Sequence, residues 1–385
     1  MNKTLINRRF GPYILITQLA VGGMAEIFLA LKLGPGPVEK RLVLKCIFEH
    51  CQNNRDYVRL FYREAALSAA IQHPNLLNIF DVGSIGGRHT MCMEFLHGVT
   101  VDEMLVRSRE CQMPVPLNVA LQIAICASNG LDYLHKMCDK TGKPLRIVHR
   151  DLTPQNIFVS YNGECKIFDY GVAQIGGPED EDPQRGMLIG KYAYMSPEQC
   201  RGEYLDGRSD MFSLGAVLFE LVTGKCLFEG ENSIQMMDAV LHSDIPKPSS
   251  LRAGVSPYLD HIILHLLQRC PAMRYPSADL LSKELQKCFK FGGYHQTNDS
   301  LSSYLKKLFA EEIAEFEPFW RHAVEEAEAR YSRENPLEGL AVPEPNAFEE
   351  ELMDGEELVP DEEILECPPP GMPLPSGLFP GGSYH

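Results

Sequence analysis

The chain has 385 residues, 44% of them hydrophobic, and a formal net charge of −16. That is room for one two-lobed catalytic domain plus an extension, with apolar mass for a full core. Residues 311–385 hold 20 acidic and 3 basic residues, leaving 32 and 33 in residues 1–310, so the folded part is nearly neutral and excludes a basic nucleic-acid-binding surface.

Twelve scattered cysteines form no Cys-x-x-Cys pair, and the stretch from Met1 to Thr4 has no apolar signal core. Reduced thiols in a cytoplasmic protein are therefore expected. The longest apolar run, Met211 to Val222, is too short to span a bilayer.

Phe10 to Leu19 reads as an alternating strand and leads into Ala20-Val21-Gly22-Gly23-Met24-Ala25-Glu26-Ile27, a glycine-containing hairpin turn. Lys45 closes the apolar run Arg41-Leu42-Val43-Leu44. A lysine ending such a strand needs a counter-charge, and Glu64, on the next helical stretch, offers one. Pro74 ends that helix. Strands follow through Ile79 to Val82 and Thr90 to Met93, and Met93-Glu94-Phe95-Leu96-His97-Gly98 leaves the last strand for a loop. Helices dominate from there. Val119 to Leu134 has the apolar period of a buried helix.

The centre of the chain is His149-Arg150-Asp151-Leu152-Thr153-Pro154-Gln155-Asn156, followed by Asp169-Tyr170-Gly171. Between them, Ile157-Phe158-Val159 and Cys165-Lys166-Ile167-Phe168 read as two short strands turning at Asn162-Gly163. Two polar triplets at the mouth of one hairpin bring two aspartates and an asparagine within reach of one point. Phosphoryl transfer needs that set: a carboxylate to orient a hydroxyl, and an Asn/Asp pair to hold magnesium. No Ser or Thr lies between Val172 and Met195, which implies, by the resemblance of these motifs to those of protein kinases, activity that does not wait for phosphorylation of a Ser or Thr there. The acidic run Glu179 to Asp182 is a solvated loop or a permanent negative charge near Arg150.

Asp299-Ser300 caps a helix with an apolar stripe at Leu301, Leu305, Leu308, Phe309, Ile313 and Phe316, ending before Pro318. A second short helix is expected from Phe319 to Arg330. The stripe is read as docking on the preceding domain, with a dimer or partner contact through residues 301–316 as the runner-up. Beyond Glu334 the Pro-, Glu- and Gly-rich composition is that of a disordered tail.

The central motifs resemble the H-R-D-x-x-x-x-N catalytic loop and D-F-G motif of eukaryotic-type protein kinases. Gly22-Gly23-Met24-Ala25-Glu26 and Pro197-Glu198-Gln199 point to the bacterial branch of eukaryotic-like (Hanks-type) serine/threonine kinases. The resemblance covers roughly residues 11–290. It implies an α+β, bilobal kinase fold: a β-rich N-lobe over about 11–95, a helical C-lobe over about 96–290, a helical extension over 299–330 and an acidic tail over 334–385. It also implies ATP and Mg2+ in the interlobe cleft and protein substrates with Ser/Thr acceptors. Ala20, Gly22 and Gly23 would cover the phosphates, and Ile27, Val43 and Phe158 would enclose the base. Met93 would be the gatekeeper, with the backbones of Glu94 and Leu96 at the adenine edge. Lys45, paired with Glu64, would hold the α/β-phosphates. Asp151 would orient the substrate hydroxyl, Arg150 would steady the activation segment, and Asn156 and Asp169 would hold magnesium. Glu198 with Arg274 would form a buried structural pair, and Asp210 would anchor the catalytic loop.

The sequence departs from the pattern at several positions. Ala20 and Ala25 replace two glycines, which predicts a stiffer lid; Val43 and Tyr170 are milder changes. Thr153 stands where the family carries a lysine that touches the γ-phosphate, and Lys191 where it carries a threonine that contacts that lysine. This reciprocal exchange predicts that Lys191 fills the lysine's place with Thr153 as its hydroxyl neighbour. An active Ser/Thr kinase is weighed against a pseudokinase scaffold that binds nucleotide without transfer, and against a small-molecule kinase.

Overall fold

The β-branched stretches of the first hundred residues pair into one antiparallel sheet in this computed structural model, which describes residues 8–22, 24–32, 40–55, 57–59, 61–62, 65, 71–169, 191–294 and 300–334. Strands β1 (Arg8–Phe10), β2 (Tyr13–Val21), β3 (Ala25–Lys32), β4 (Lys40–Ile47), β5 (Ile79–Ile85) and β6 (Arg88–Glu94) lie in the order β1-β2-β3-β4-β6-β5. Ile27 pairs with Lys45, and Val43 with Met93. The two-residue period of a strand therefore sets these four side chains on one face. Phe28, Leu42 and Leu44 pack on the opposite face with Tyr13 and Leu15.

The segment after the sheet crosses into a second, smaller sheet of β7 (Gly98–Thr100), β8 (Ile157–Ser160) and β9 (Cys165–Ile167). The expected β8–β9 hairpin is present, with Ile157 opposite Ile167, Val159 opposite Cys165 and Gly163 at φ 93° in its turn, although the turn takes Tyr161 as well as Asn162 and Gly163. Gly98 has to be glycine for a different reason: a Cβ there would lie 2.1 Å from the Val159 carbonyl oxygen.

The second lobe is helical. Its frame is α1 (Val101–Glu110), α2 (Leu117–Lys136), α3 (Pro197–Arg201), α4 (Gly207–Thr223), α5 (Ser233–His242), α6 (Pro248–Leu251), α7 (Pro257–Leu266) and α8 (Ala278–Phe291). The almost wholly apolar α4 is buried along its length, with Asp206 capping its first turn and Gly224 (φ 73°) ending it. α9 (Leu301–Leu308) and α10 (Ala310–Glu334) complete the described chain.

Two expectations are corrected. Tyr13, Ile14, Leu15 and Ile16 are all at most 3% exposed, so β2 is apolar on both faces there rather than alternating. Pro318 does not end a helix: α10 runs through it, and the break falls at Phe309 (φ −124°, ψ 37°). An interior proline removes one hydrogen bond and costs about 3 kcal/mol; burial of Trp320, Ala323, Val324 and Ala327 against the N-lobe sheet offsets it. The stripe at Leu301, Leu305, Leu308 and Phe309 is buried in the core of the chain's own C-lobe. No helix among the described residues is long and apolar enough to cross a membrane. The tail from residue 335 lies outside the described residues.

Candidate active site

The site is built on the loop between α2 and β8. Asp210, in the first turn of α4 and 1% exposed, holds that loop from beneath. Its Oδ2 accepts the His149 backbone N–H and its Oδ1 that of Arg150, both at 2.8 Å, and Oδ2 also lies 2.7 Å from His135 Nε2. These bonds hold Arg150 in the left-handed region at φ 66°, a conformation that costs a non-glycine residue about 1–3 kcal/mol. Asp169 also has a left-handed backbone, at φ 55°. Both strained residues flank the same point.

His149 joins the two motifs. Its Nε2–H donates to the Phe168 carbonyl (3.1 Å), while Nδ1 accepts the Asp151 N–H (3.3 Å). One nitrogen donates and the other accepts, so the ring is neutral. Complete burial keeps its pKa below the ordinary 6.5, against the pull of Asp210 and Asp151.

Of the predicted metal and base residues, Asn156 and Asp151 are in direct contact. Asn156 Nδ2 donates to Asp151 Oδ2 (2.9 Å) and to the Asp151 carbonyl (2.7 Å). Lys191 Nζ donates to the same Oδ2 at 2.8 Å. From the N-lobe, Lys45 Nζ reaches Asp169 Oδ1 at 3.4 Å. With its amide nitrogen committed to Asp151, Asn156 has its side-chain oxygen left to accept, and that oxygen and the Asp169 carboxylate could hold a cation. Among the described residues no group of three or more His, Cys, Asp or Glu forms a metal cage. Two oxygen ligands without a cage suit magnesium that keeps waters and substrate phosphates as its other ligands.

Ile27, Val43 and Met93 share the sheet face that carries Lys45. Ala20 pairs with Ile27 at the neck of the lid hairpin, and the Gly22 N–H donates to the Ala25 carbonyl (2.8 Å). Ala20 and Gly22 are exposed, and Leu96 and Phe158 are half-buried. The Arg150 side chain is exposed, and its carbonyl accepts from Gln199 Nε2 at 2.7 Å. Gly23, Glu64, Tyr170 and residues 171–190, with the acidic run, lie outside the described residues. So do the Lys45–Glu64 pair and the segment Arg150 would steady.

One part of the Lys191 expectation is not met: Thr153 Oγ1 is buried and makes no hydrogen bond among the described residues. The lysine goes to the carboxylate because an ion-paired bond outweighs a neutral one. The expected Glu198–Arg274 pair is present, at 2.6 and 2.8 Å, with side chains 2% and 0% exposed. Tyr194 is buried, with its hydroxyl on Glu220.

Two buried pairs escaped the sequence reading. Lys166 Nζ binds Glu94 Oε1 (2.7 Å), fixing the strand before the interlobe loop to the β8–β9 hairpin. Arg88 binds Glu26 at 2.9 Å beneath the lid strands. The only signal was a charged residue inside an apolar strand.

The protein kinase domain family matches residues 13–285. The chain is 37% identical over 306 residues to the tyrosine-protein kinase MasK of Myxococcus xanthus, which covers 79% of this chain and 47% of that protein. It is 28% identical to the serine/threonine-protein kinase PrkC of Bacillus subtilis, over 74% of this chain and 42% of that one. For the serine/threonine-protein kinase PknB of Mycobacterium leprae the values are 30%, 69% and 41%. The chain thus spans less than half the length of these relatives. The crystal structure of the Mycobacterium tuberculosis PknI kinase domain (C20A mutant) superposes with a TM-score of 0.54 at 22% identity, over 74% of this chain and 99% of that one, a likeness of fold. With the fold bilobal and the motifs in register, the chain belongs to the protein kinase family.

Proposed function

We propose that this protein is an ATP-dependent serine/threonine protein kinase acting in cytoplasmic signalling. The observation that carries the reading is the convergence of Asn156 and Lys191 on one oxygen of the Asp151 carboxylate, with Lys45 reaching Asp169 from the other lobe. Bound MgATP supplies the γ-phosphoryl group and the cation that screens its charge. Lys45 would hold the α- and β-phosphates, and Asn156 and Asp169 the magnesium. Asp151 would orient the acceptor hydroxyl and take its proton as the oxygen bonds to phosphorus and ADP leaves. Lys191 would both hold Asp151 and touch the γ-phosphate, the work otherwise done by a catalytic-loop lysine.

A tyrosine acceptor is the second reading, because the 37%-identical relative is named a tyrosine-protein kinase. Purified protein is incubated with labelled ATP, magnesium and a basic acceptor protein beside Asp169→Asn, and the product is hydrolysed. Label in the wild type only, as phosphoserine or phosphothreonine, is expected; phosphotyrosine selects the second reading. No label in either protein, with nucleotide still raising the melting temperature, selects the scaffold. Lys191→Ala is expected to slow transfer, and an unchanged rate ends its assignment.

A further inference from the structure

The family match stops at residue 285, yet the chain after it is built into both lobes. α9 enters the C-lobe core through Leu301, Leu305 and Leu308, and Ser302 Oγ donates to the Tyr161 carbonyl at 2.7 Å. α10 then passes behind the loop that joins the lobes. The Phe316 ring lies 5.5 Å from Phe95 at 15° and 4.0 Å from His97, whose other side meets Tyr161 edge-on at 4.8 Å. One step on, Glu317 takes Arg41 of β4 in two bonds of 2.8 and 2.9 Å, and the same guanidinium lies 4.9 Å over Trp320. Trp320, 3% exposed, sits with Val324 against Ile14, Ile16, Leu29 and Leu31. Leu29 is the register partner of Val43, so the helix packs beside the proposed adenine roof and on the same sheet face.

One continuous segment therefore grips the C-lobe, the interlobe loop and the underside of the N-lobe. Rotating one lobe against the other would unstack Phe316, break a bidentate ion pair or pull Trp320 from its seat. We propose that α9–α10 is an interlobe strut, with Phe316, Glu317 and Trp320 as positioning residues that hold the joining loop and the adenine roof in nucleotide-binding geometry. The functional catalytic unit then runs to residue 334. This inference rests on the kinase reading above.

The test uses the full chain and measures initial rates against ATP concentration. Loss of a stacked aromatic predicts that Phe316→Ala raises KM for ATP about twofold to tenfold, with a smaller change in kcat. Glu317→Arg should also raise KM, and adding Arg41→Glu, which restores the pair with its signs exchanged, should bring it back toward the wild type. Trp320 is the single tryptophan, so its emission reports docking independently of activity and shifts to the red where the strut is loosened. A red-shifted Phe316→Ala protein with wild-type KM overturns the proposal, as does a double variant no better than Glu317→Arg. An inactive wild type overturns the kinase reading and this inference together; an active wild type blind to these changes overturns this inference alone.

Discussion

The C-lobe buries its apolar residues in one contiguous cluster, from Ile71 to Phe309, whereas the N-lobe divides its own among three small clusters on the two sides of a sheet. One of those three is completed by side chains from α10, some 300 residues along the chain from the strands they cover. Among the described residues each lobe has a buried arginine–glutamate pair, and the two are differently supported. In the C-lobe, Arg274 binds both oxygens of Glu198 and donates to the carbonyls of Arg208, Gln268 and Arg269. In the N-lobe, Arg88 binds Glu26 and the Ile47 carbonyl, and Glu26 keeps a second donor in Gln18 at 2.9 Å. The C-lobe is one continuous core, completed by α9 and locked by a saturated arginine. The N-lobe is a thin layer that borrows part of its covering.

Truncating the two arginines breaks this comparison at its strongest point. Arg274→Ala leaves the Glu198 charge, 2% exposed against 9% for Glu26, in the core with the Ser209 hydroxyl and no cation to balance it, and is expected to cost about 3–5 kcal/mol. Arg88→Ala leaves Glu26 with Gln18 and should cost less, about 1–3 kcal/mol. Chemical denaturation of both variants measures the difference. Equal losses, or a larger one at Arg88, would show that the N-lobe is as tightly locked as its partner.

Three histidines, His73, His97 and His149, are each held below the ordinary pKa first of all by burial. The native state keeps them neutral at a pH where the unfolded chain, at about 6.5, already binds protons. Stability is therefore complete above that value and declines as pH falls below it toward the native pKa values. For the fully buried His149 the slope is at most about 1.4 kcal/mol per pH unit. Melting temperatures measured from pH 7.5 to 5.5 test the sign, and a flat or rising profile on acidification refutes it.

What was legible in the sequence divides along the same line as the lobes. The β8–β9 hairpin, its turn at Gly163 and the convergence of Asp151 with Asn156 follow from spacing alone, because local chain geometry fixes them. The anchoring by Asp210 and the Glu198–Arg274 pair were legible through family likeness rather than through spacing. The Glu26–Arg88 and Glu94–Lys166 pairs join residues 62 and 72 positions apart that no period relates. The docking of α10 under the N-lobe left a trace that was read wrongly. Tyr13-Ile14-Leu15-Ile16 is apolar at four consecutive positions, the mark of a strand covered on both faces, and the cover had to come from elsewhere in the chain. Pro318 misled because proline's local cost is real and the compensating contacts are distant.

Thr153 gives the smallest effect. Its hydroxyl was expected beside Lys191, yet that lysine is drawn to Asp151 and the buried oxygen has no partner among the described residues. A buried hydroxyl without a bond forfeits its hydration for nothing in return, at about 1–3 kcal/mol. Thr153→Val keeps the shape and removes the oxygen, so it should leave the fold equally stable or up to about 1 kcal/mol more stable, with Lys191 still on Asp151 and transfer little changed. A clear loss of stability would show that the hydroxyl has a hydrogen-bond partner in solution. A loss of activity at unchanged stability would give Thr153 a part in the reaction, and the exchange with Lys191 would then be reciprocal in function as well as in sequence.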